Sequence, residues 1–293
     1  MRLVAMRMIL TGYLLICAGC ASIDAFPPTV AHNLNSSCVV RFFSNEIELV
    51  GSDRTIQLPD PKEWTAAGVT ENGRVLSREA DLDLRTLAVT PIRPALPGTV
   101  IGASADGSKV VLSRREGQTG RDTVTVFDRR NGSSRQLSPD TTYAAISQDG
   151  RLVAEQAGTG IRAYRDGKLL VEVVGRLPSW LDAKTLSYLQ PNDDYELIDV
   201  ETGLRRMFKP VGQPIVSLRR SSASGALLYT ARTRSDFWSL DLSCPERYRI
   251  VVHEREDSPG VVIGYGCKAS RPEAIRWIDA DAVCSDSKPP NRQ

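Results

Sequence analysis

The chain has 293 residues, 41% of them apolar and 25% charged, which is the composition of a folded protein with length enough to bury a core and excludes disorder throughout. Its formal net charge is +2, from 37 basic and 35 acidic residues, and Arg2 and Arg7 alone account for that surplus (37 − 2 = 35). From there on the chain is neutral and mixed in sign, so it has no electrostatic footprint for a polyanion and nucleic-acid binding is excluded as its main role.

Residues 1–19 read as a signal peptide: two arginines, an apolar run from Met8 to Ile16, then small residues. The run is too short for a permanent span, which needs roughly twenty apolar residues. Ala18-Gly19-Cys20 resembles the bacterial lipobox, in which signal peptidase II cuts before a cysteine carrying diacylglycerol, although Cys17 stands where that family normally has Leu. The resemblance implies lipidation of Cys20 and a membrane anchor without a spanning segment. Ordinary cleavage near Ala21 is the alternative. In that family an Asp after the cysteine retains the protein in the inner membrane, so Ala21 implies an outer-membrane address facing the periplasm.

Residues 20–37 have no hydrophobic period and contain Pro27-Pro28, so they read as a lipidated tether, with His32 exposed in it. From Cys38 the pattern turns strand-like: CVVRFF, EIELV and RTIQL are short β-branched runs bounded by turn residues. A repeat begins near Val69. Gly73, Gly107, Gly150, Ala183 and Gly225 form one turn column, preceded by Asn72, Asp106, Asp149, Asp182 and Ser224, with spacings of 34, 43, 33 and 42 residues. A second column follows sixteen residues after the turn at Asp166, Asp199 and Asp241, while Asp128 comes twenty-one after because of an insert at 116–120. A last, partial copy matches Trp277 to Trp180 and places Asp279-Ala280 in the turn column.

Units of about 40 residues built from several short strands are the signature of propeller blades, which cannot bury their faces singly. The predicted fold is therefore all-β: a β-propeller over 38–286, with six four-stranded blades and a disordered tail at 287–293. The truncated last copy and the orphan strands at the N-terminus complete one shared blade and close the ring. Helix is expected to be sparse, because KVVLS, TVTVF and ELIDV alternate with period two. The turn-column aspartates read as turn formers, since Asn-Gly and Asp-Gly supply the positive φ that tight hairpins demand. Trp180 and Trp277, at one repeat position, read as packing between blades.

The units resemble the TolB-like repeats of the wider WD-repeat propeller class over roughly Val69 to Val283. Phe127-Asp128, Ile198-Asp199 and Leu240-Asp241 stand where the larger class has Trp-Asp, and Ala105 and Gln148 stand where Pro usually precedes Asp-Gly.

With Cys20 lipidated, Cys38, Cys244, Cys267 and Cys284 remain, an even number in an exported chain, and three connectivities are open. Ring closure would bring Cys38 and Cys284 into one blade and leave Cys244 to pair with Cys267. A Cys38–Cys284 bond closes a loop of more than two hundred residues, for which chain entropy gives a stabilisation of about 4–5 kcal/mol.

The sequence carries no G-x-S-x-G elbow, H-E-x-x-H, P-loop or G-x-G-x-x-G after a strand, and no Cys/His spacing for a metal, so neither catalysis, cofactor nor metal is expected. His253 reads as an exposed strand-end residue, and Arg129-Arg130 and Arg219-Arg220 as solvated edges. The functional expectation is a lipid-anchored scaffold that binds another envelope protein. Glu116, Gly117, Gln118, Thr119 and Gly120, the insert that no other copy has, form the expected partner-binding loop. A propeller-type small-ligand binder or enzyme, with its site at the central channel, is the alternative.

Overall fold

A computed structural model describes residues 37–42, 46–50, 55–59, 64–116, 121–210, 212–214, 218–232, 247–267 and 275–279. In chain order they begin with β1 (Ser37–Phe42), β2 (Glu46–Leu49) and β3 (Thr55–Gln57). Blade 1 has β4 (Arg74–Leu76), β5 (Ala80–Asp83) and β6 (Val89–Pro91). Blade 2 has β7 (Thr99–Ala103), β8 (Lys109–Glu116), β9 (Arg121–Asp128) and β10 (Ser134–Gln136), and blade 3 has β11 (Thr141–Ile146), β12 (Leu152–Ala157), β13 (Gly160–Arg165) and β14 (Lys168–Val174). Blade 4 has β15 (Arg176–Trp180), β16 (Thr185–Leu189), β17 (Tyr195–Asp199) and β18 (Arg205–Phe208). Blade 5 has β19 (Gln213–Pro214), β20 (Arg219–Arg220), β21 (Leu227–Arg232), β22 (Arg247–His253) and β23 (Val261–Cys267), and β24 (Ile275–Asp279) ends the described chain.

Six antiparallel sheets result, and β24 joins the N-terminal strands in the order β24-β1-β2-β3 to make blade 6. The register pairs Ser37 with Asp279, Val39 with Trp277 and Arg41 with Ile275, so the ring closes between the two ends of the chain as the repeat predicts. Two blades depart from four strands. In blade 1 the innermost strand shrinks to a single Val69↔Val75 bridge after a short 3-10 turn at Ala66–Gly68; a Cβ on Gly68 would sit 2.0 Å from the Leu76 carbonyl oxygen, so only glycine lets the chain pass there. In blade 5 two described strands, β19 and β20, pair with β21 in the innermost position.

Alternation along each strand sends successive side chains to the two flanking blades. Val110 and Leu112 pack toward blade 1 with Leu76 and Leu96, whereas Val111 packs toward blade 3 with Ala144 and Val153. On β1, Val39 joins Leu228 and Ile250 of blade 5, and Val40 joins Val75 and Leu82 of blade 1. Among the described residues, every blade interface therefore has its own apolar cluster. This is why the runs are apolar on both sides of the period.

The turns between first and second strands, and between third and fourth, lie on one face, here the turn face. Gly73, Gly107, Gly150 and Gly225 adopt φ of +78°, +67°, +71° and +73° in the turn column. The aspartates serve their own turns: Asp106 accepts from the Ser104 hydroxyl at 2.7 Å and the Ser108 N–H at 2.9 Å, and Asp149 from the Ser147 hydroxyl at 2.6 Å and the Arg151 N–H at 3.0 Å. Asp199 does the same one turn outward; the Thr202 N–H, followed by the Lys184 ammonium, holds its carboxyl down to about 2. Hairpins between second and third strands and the connections between blades lie on the opposite face.

Candidate functional site: the central channel

The innermost segments of all six blades converge on a channel lined by Val69–Glu71, Ile101–Ala105, Tyr143–Ile146, Trp180, Arg219, Arg220, Arg276 and Trp277. It holds about 750 Å³ of space, open solvent at its mouth included. Its lining is polar, and among the described residues it includes Arg219, Arg220 and Arg276 and one carboxylate residue, Glu71. Arg219-Arg220 is thus part of the channel wall, which corrects its expectation as a solvated edge: β20 is an innermost strand, so it faces the axis. Arg220 donates to Asp182 at 3.2 Å and to Glu256 at 3.1 Å. The second arginine pair is also engaged, Arg129 with Asp81 at 3.1 Å and the Gly107 carbonyl at 2.9 Å, and Arg130 with Asp106 at 2.7 Å.

Glu71 belongs to blade 1, yet its carboxylate accepts from the Gln148 amide of blade 3 at 2.9 Å, and from the Ser222 N–H at 3.2 Å and the Ser222 hydroxyl of blade 5. The Gln148 amide also donates to the Arg220 carbonyl at 3.1 Å. Blades 1, 3 and 5 are not neighbours in the ring, so these bonds cross the axis and form a clasp over the turn-face end of the channel. Beyond it lies a shallow depression lined by Ser37, Asn72, Asp106, Ser222 and Ala223 among others. Burial pushes the Glu71 carboxyl above the usual carboxylate range; Ser222, Gln148 and the charge on Arg219 offset this in part.

The tryptophans pack between blades, Trp180 with blade 3 residues and Trp277 with blade 5 residues, and the Trp180 indole donates to the Ala145 carbonyl at 3.2 Å. Glu155 is 1% exposed and accepts from the Ser138 N–H at 3.1 Å, the Ser138 hydroxyl at 2.8 Å, the Thr141 hydroxyl at 3.2 Å and the Tyr164 hydroxyl at 2.8 Å. It staples the connection from blade 2 to blade 3. His253 is 3% exposed, which corrects its expectation as an exposed residue: it packs edge-on against Phe208 at 5.0 Å, and Nδ1 sits 2.7 Å from the Ser258 carbonyl oxygen. The charged neighbours Glu254 and Arg255 suggested exposure, but they lie beyond the end of the strand.

Of the sequence-predicted site residues, Cys20, Cys244, Cys284 and Gly117–Gly120 lie outside the described residues. Glu116 ends β8 and Cys267 ends β23. Cys38 lies on β1 and is disulfide-bonded, its partner not being among the side chains described. Among the described residues, no group of three or more His, Cys, Asp or Glu could hold a metal ion, and no helix is long and apolar enough to cross a membrane. The channel clasp was not predicted. Gln148 and Ser222 lie 77 and 151 positions from Glu71 in the chain, so no local sequence signal gives the site.

No protein-family model matches the chain, and neither does any curated protein. Among solved structures it is similar to TolB from Acinetobacter baumannii, at 13% identity and a TM-score of 0.54 over 84% of this chain and 66% of that one. It is similar also to a TolB candidate from Agrobacterium tumefaciens, at 12% identity and a TM-score of 0.51 over 79% of this chain and 89% of that one. The chain thus spans slightly less than two thirds of the Acinetobacter protein's length. At these identities the likeness concerns the fold, and that fold is a six-bladed, TolB-like β-propeller.

Proposed function

We propose that the protein is exported, held to the outer membrane through a lipid on Cys20, and works on the periplasmic side as a non-catalytic scaffold for another envelope protein. The observation that carries this reading is the closure of the ring by β1 on β24, because it joins a rigid, loop-bearing platform directly to the segment that reads as a lipidated tether. Three buried or half-buried carboxylates also favour a platform: Glu71, Glu155 and Asp81 are each engaged in joining blades or their connections. Cross-linking in intact cells followed by mild detergent extraction tests it. The wild-type chain should yield a discrete protein adduct, and replacing Gly117–Gly120 by Asn-Gly should abolish it; a wild-type chain that gives none contradicts the scaffold.

The arginines of the channel favour a second reading, a binder of small anions. Titration with citrate should then raise the melting midpoint, and an unchanged midpoint removes this reading. For the cysteines we propose Cys38–Cys284 and Cys244–Cys267. Non-reducing peptide mapping decides, and a Cys267–Cys284 peptide contradicts the pairing.

A further inference from the structure

The N-terminal segment enters the ring at one well-defined place. Ser37 opens β1 and stands opposite Asp279 at the turn-face end of the innermost strand of blade 6. It is buried, its hydroxyl lies 2.5 Å from the Ser221 hydroxyl of blade 5, and it lines the depression at the channel mouth together with Asn72, Asp106 and Ser222. A chain arriving at Ser37 therefore comes in beside the axis on the turn face, not at the rim.

From this geometry, and resting on the lipid-anchored reading above, we infer that the turn face lies toward the membrane and that the opposite face, with its hairpins between second and third strands, points away from it. The tether length supports it. Residues 21–36 are sixteen in number; a flexible chain of that length spans about 20–24 Å when relaxed and about 53–58 Å fully extended. To present the opposite face to the membrane, the tether must pass from β1 outward over β2 and β3, roughly 10 Å at the spacing of neighbouring strands. It must then descend the thickness of the ring, which for the eight-residue strands of blade 2 is roughly 26 Å. That path, roughly 36 Å, exceeds the relaxed length by half or more and would cost the tether conformational freedom. With the turn face inward, no such stretch is needed.

The clasp of Glu71, Gln148 and Ser222 closes the same end of the channel. Both features thus sit on one face.

The test uses the full lipidated chain reconstituted in phosphatidylethanolamine–phosphatidylglycerol vesicles containing an acceptor-labelled lipid. A donor dye is attached through an azide-bearing amino acid at Asn131 on the turn face or, separately, at Thr159 on the opposite face; both positions are exposed. Energy transfer should be roughly twofold or more higher from position 131, given the separation of about 26 Å between faces. Doubling the tether with Gly/Ser residues after Thr29 should shrink that difference. Vesicle flotation with equal transfer from both positions, or with more from 159, overturns the orientation while leaving the anchor intact. A difference that survives the longer tether overturns the tether argument. Failure of the chain to float with the vesicles overturns the anchor and the orientation with it.

Discussion

Glu71 and Glu155 are carboxylates taken from water by the same fold, and their surroundings drive them in opposite directions. Burial raises Glu71 above its ordinary value, and its donors and Arg219 do not fully compensate. Burial acts on Glu155 too, but the Tyr164 hydroxyl and the Ser138 and Thr141 donors outweigh it and hold the carboxyl below its ordinary value. The signs for stability follow from linkage. A carboxyl raised on folding contributes stability in full below its unfolded value of about 4.3 and loses it as pH rises through the folded value. One that is lowered contributes above the unfolded value and loses it as pH falls through the folded value. As pH rises from about 4 to 7, the melting midpoint of Glu71→Gln should therefore improve relative to wild type, and as pH rises from about 3 to 5, that of Glu155→Gln should worsen. At pH 7 the Glu155→Gln cost should be about 1–3 kcal/mol, since a buried set of donors loses its charged acceptor. Thermal melts of the three proteins across these ranges check both signs, and parallel pH profiles contradict the assignment.

Each blade is made of strands whose two sides both need a neighbour, and the interfaces carry the stability. Leu186 is fully buried between blades 3 and 4 with Leu152, Ile161 and Trp180; Leu186→Ala should cost about 2–5 kcal/mol in urea unfolding, from lost transfer energy and the remaining cavity. At this scale most of the fold was legible in the sequence. KVVLS and TVTVF give the period of two, and the Asp-Gly and Asn-Gly column gives the turns with their positive φ. What was not legible are the irregular innermost strands. Blade 1 narrows at Gly68, a constraint set by the approach of Leu76 across the sheet. In blade 5, Ser221–Gly225 is a longer turn than Ser147–Gly150, closing from Gly225 N–H to the Ser221 carbonyl.

The ring as a whole was foreseeable, because a partial last copy and unpaired N-terminal strands have one economical solution, and the β1–β24 register adopts it. The channel was not. The clasp joins Glu71 to Gln148, 77 residues away, and to Ser222, 151 residues away, so neither periodicity nor local turn chemistry encodes it. It becomes visible once the ring has brought alternate blades face to face across the axis. The ring also fixes where the tether meets the body, which links the fold to the proposed anchor and makes lipidation the point on which the functional account turns. Intact-mass measurement of the protein extracted from the cell envelope tests that point most directly. The account predicts a chain beginning at Cys20 and carrying the mass of a diacylglycerol with further acylation. An unmodified chain beginning at Ala21, or one that retains residues 1–19, would contradict it.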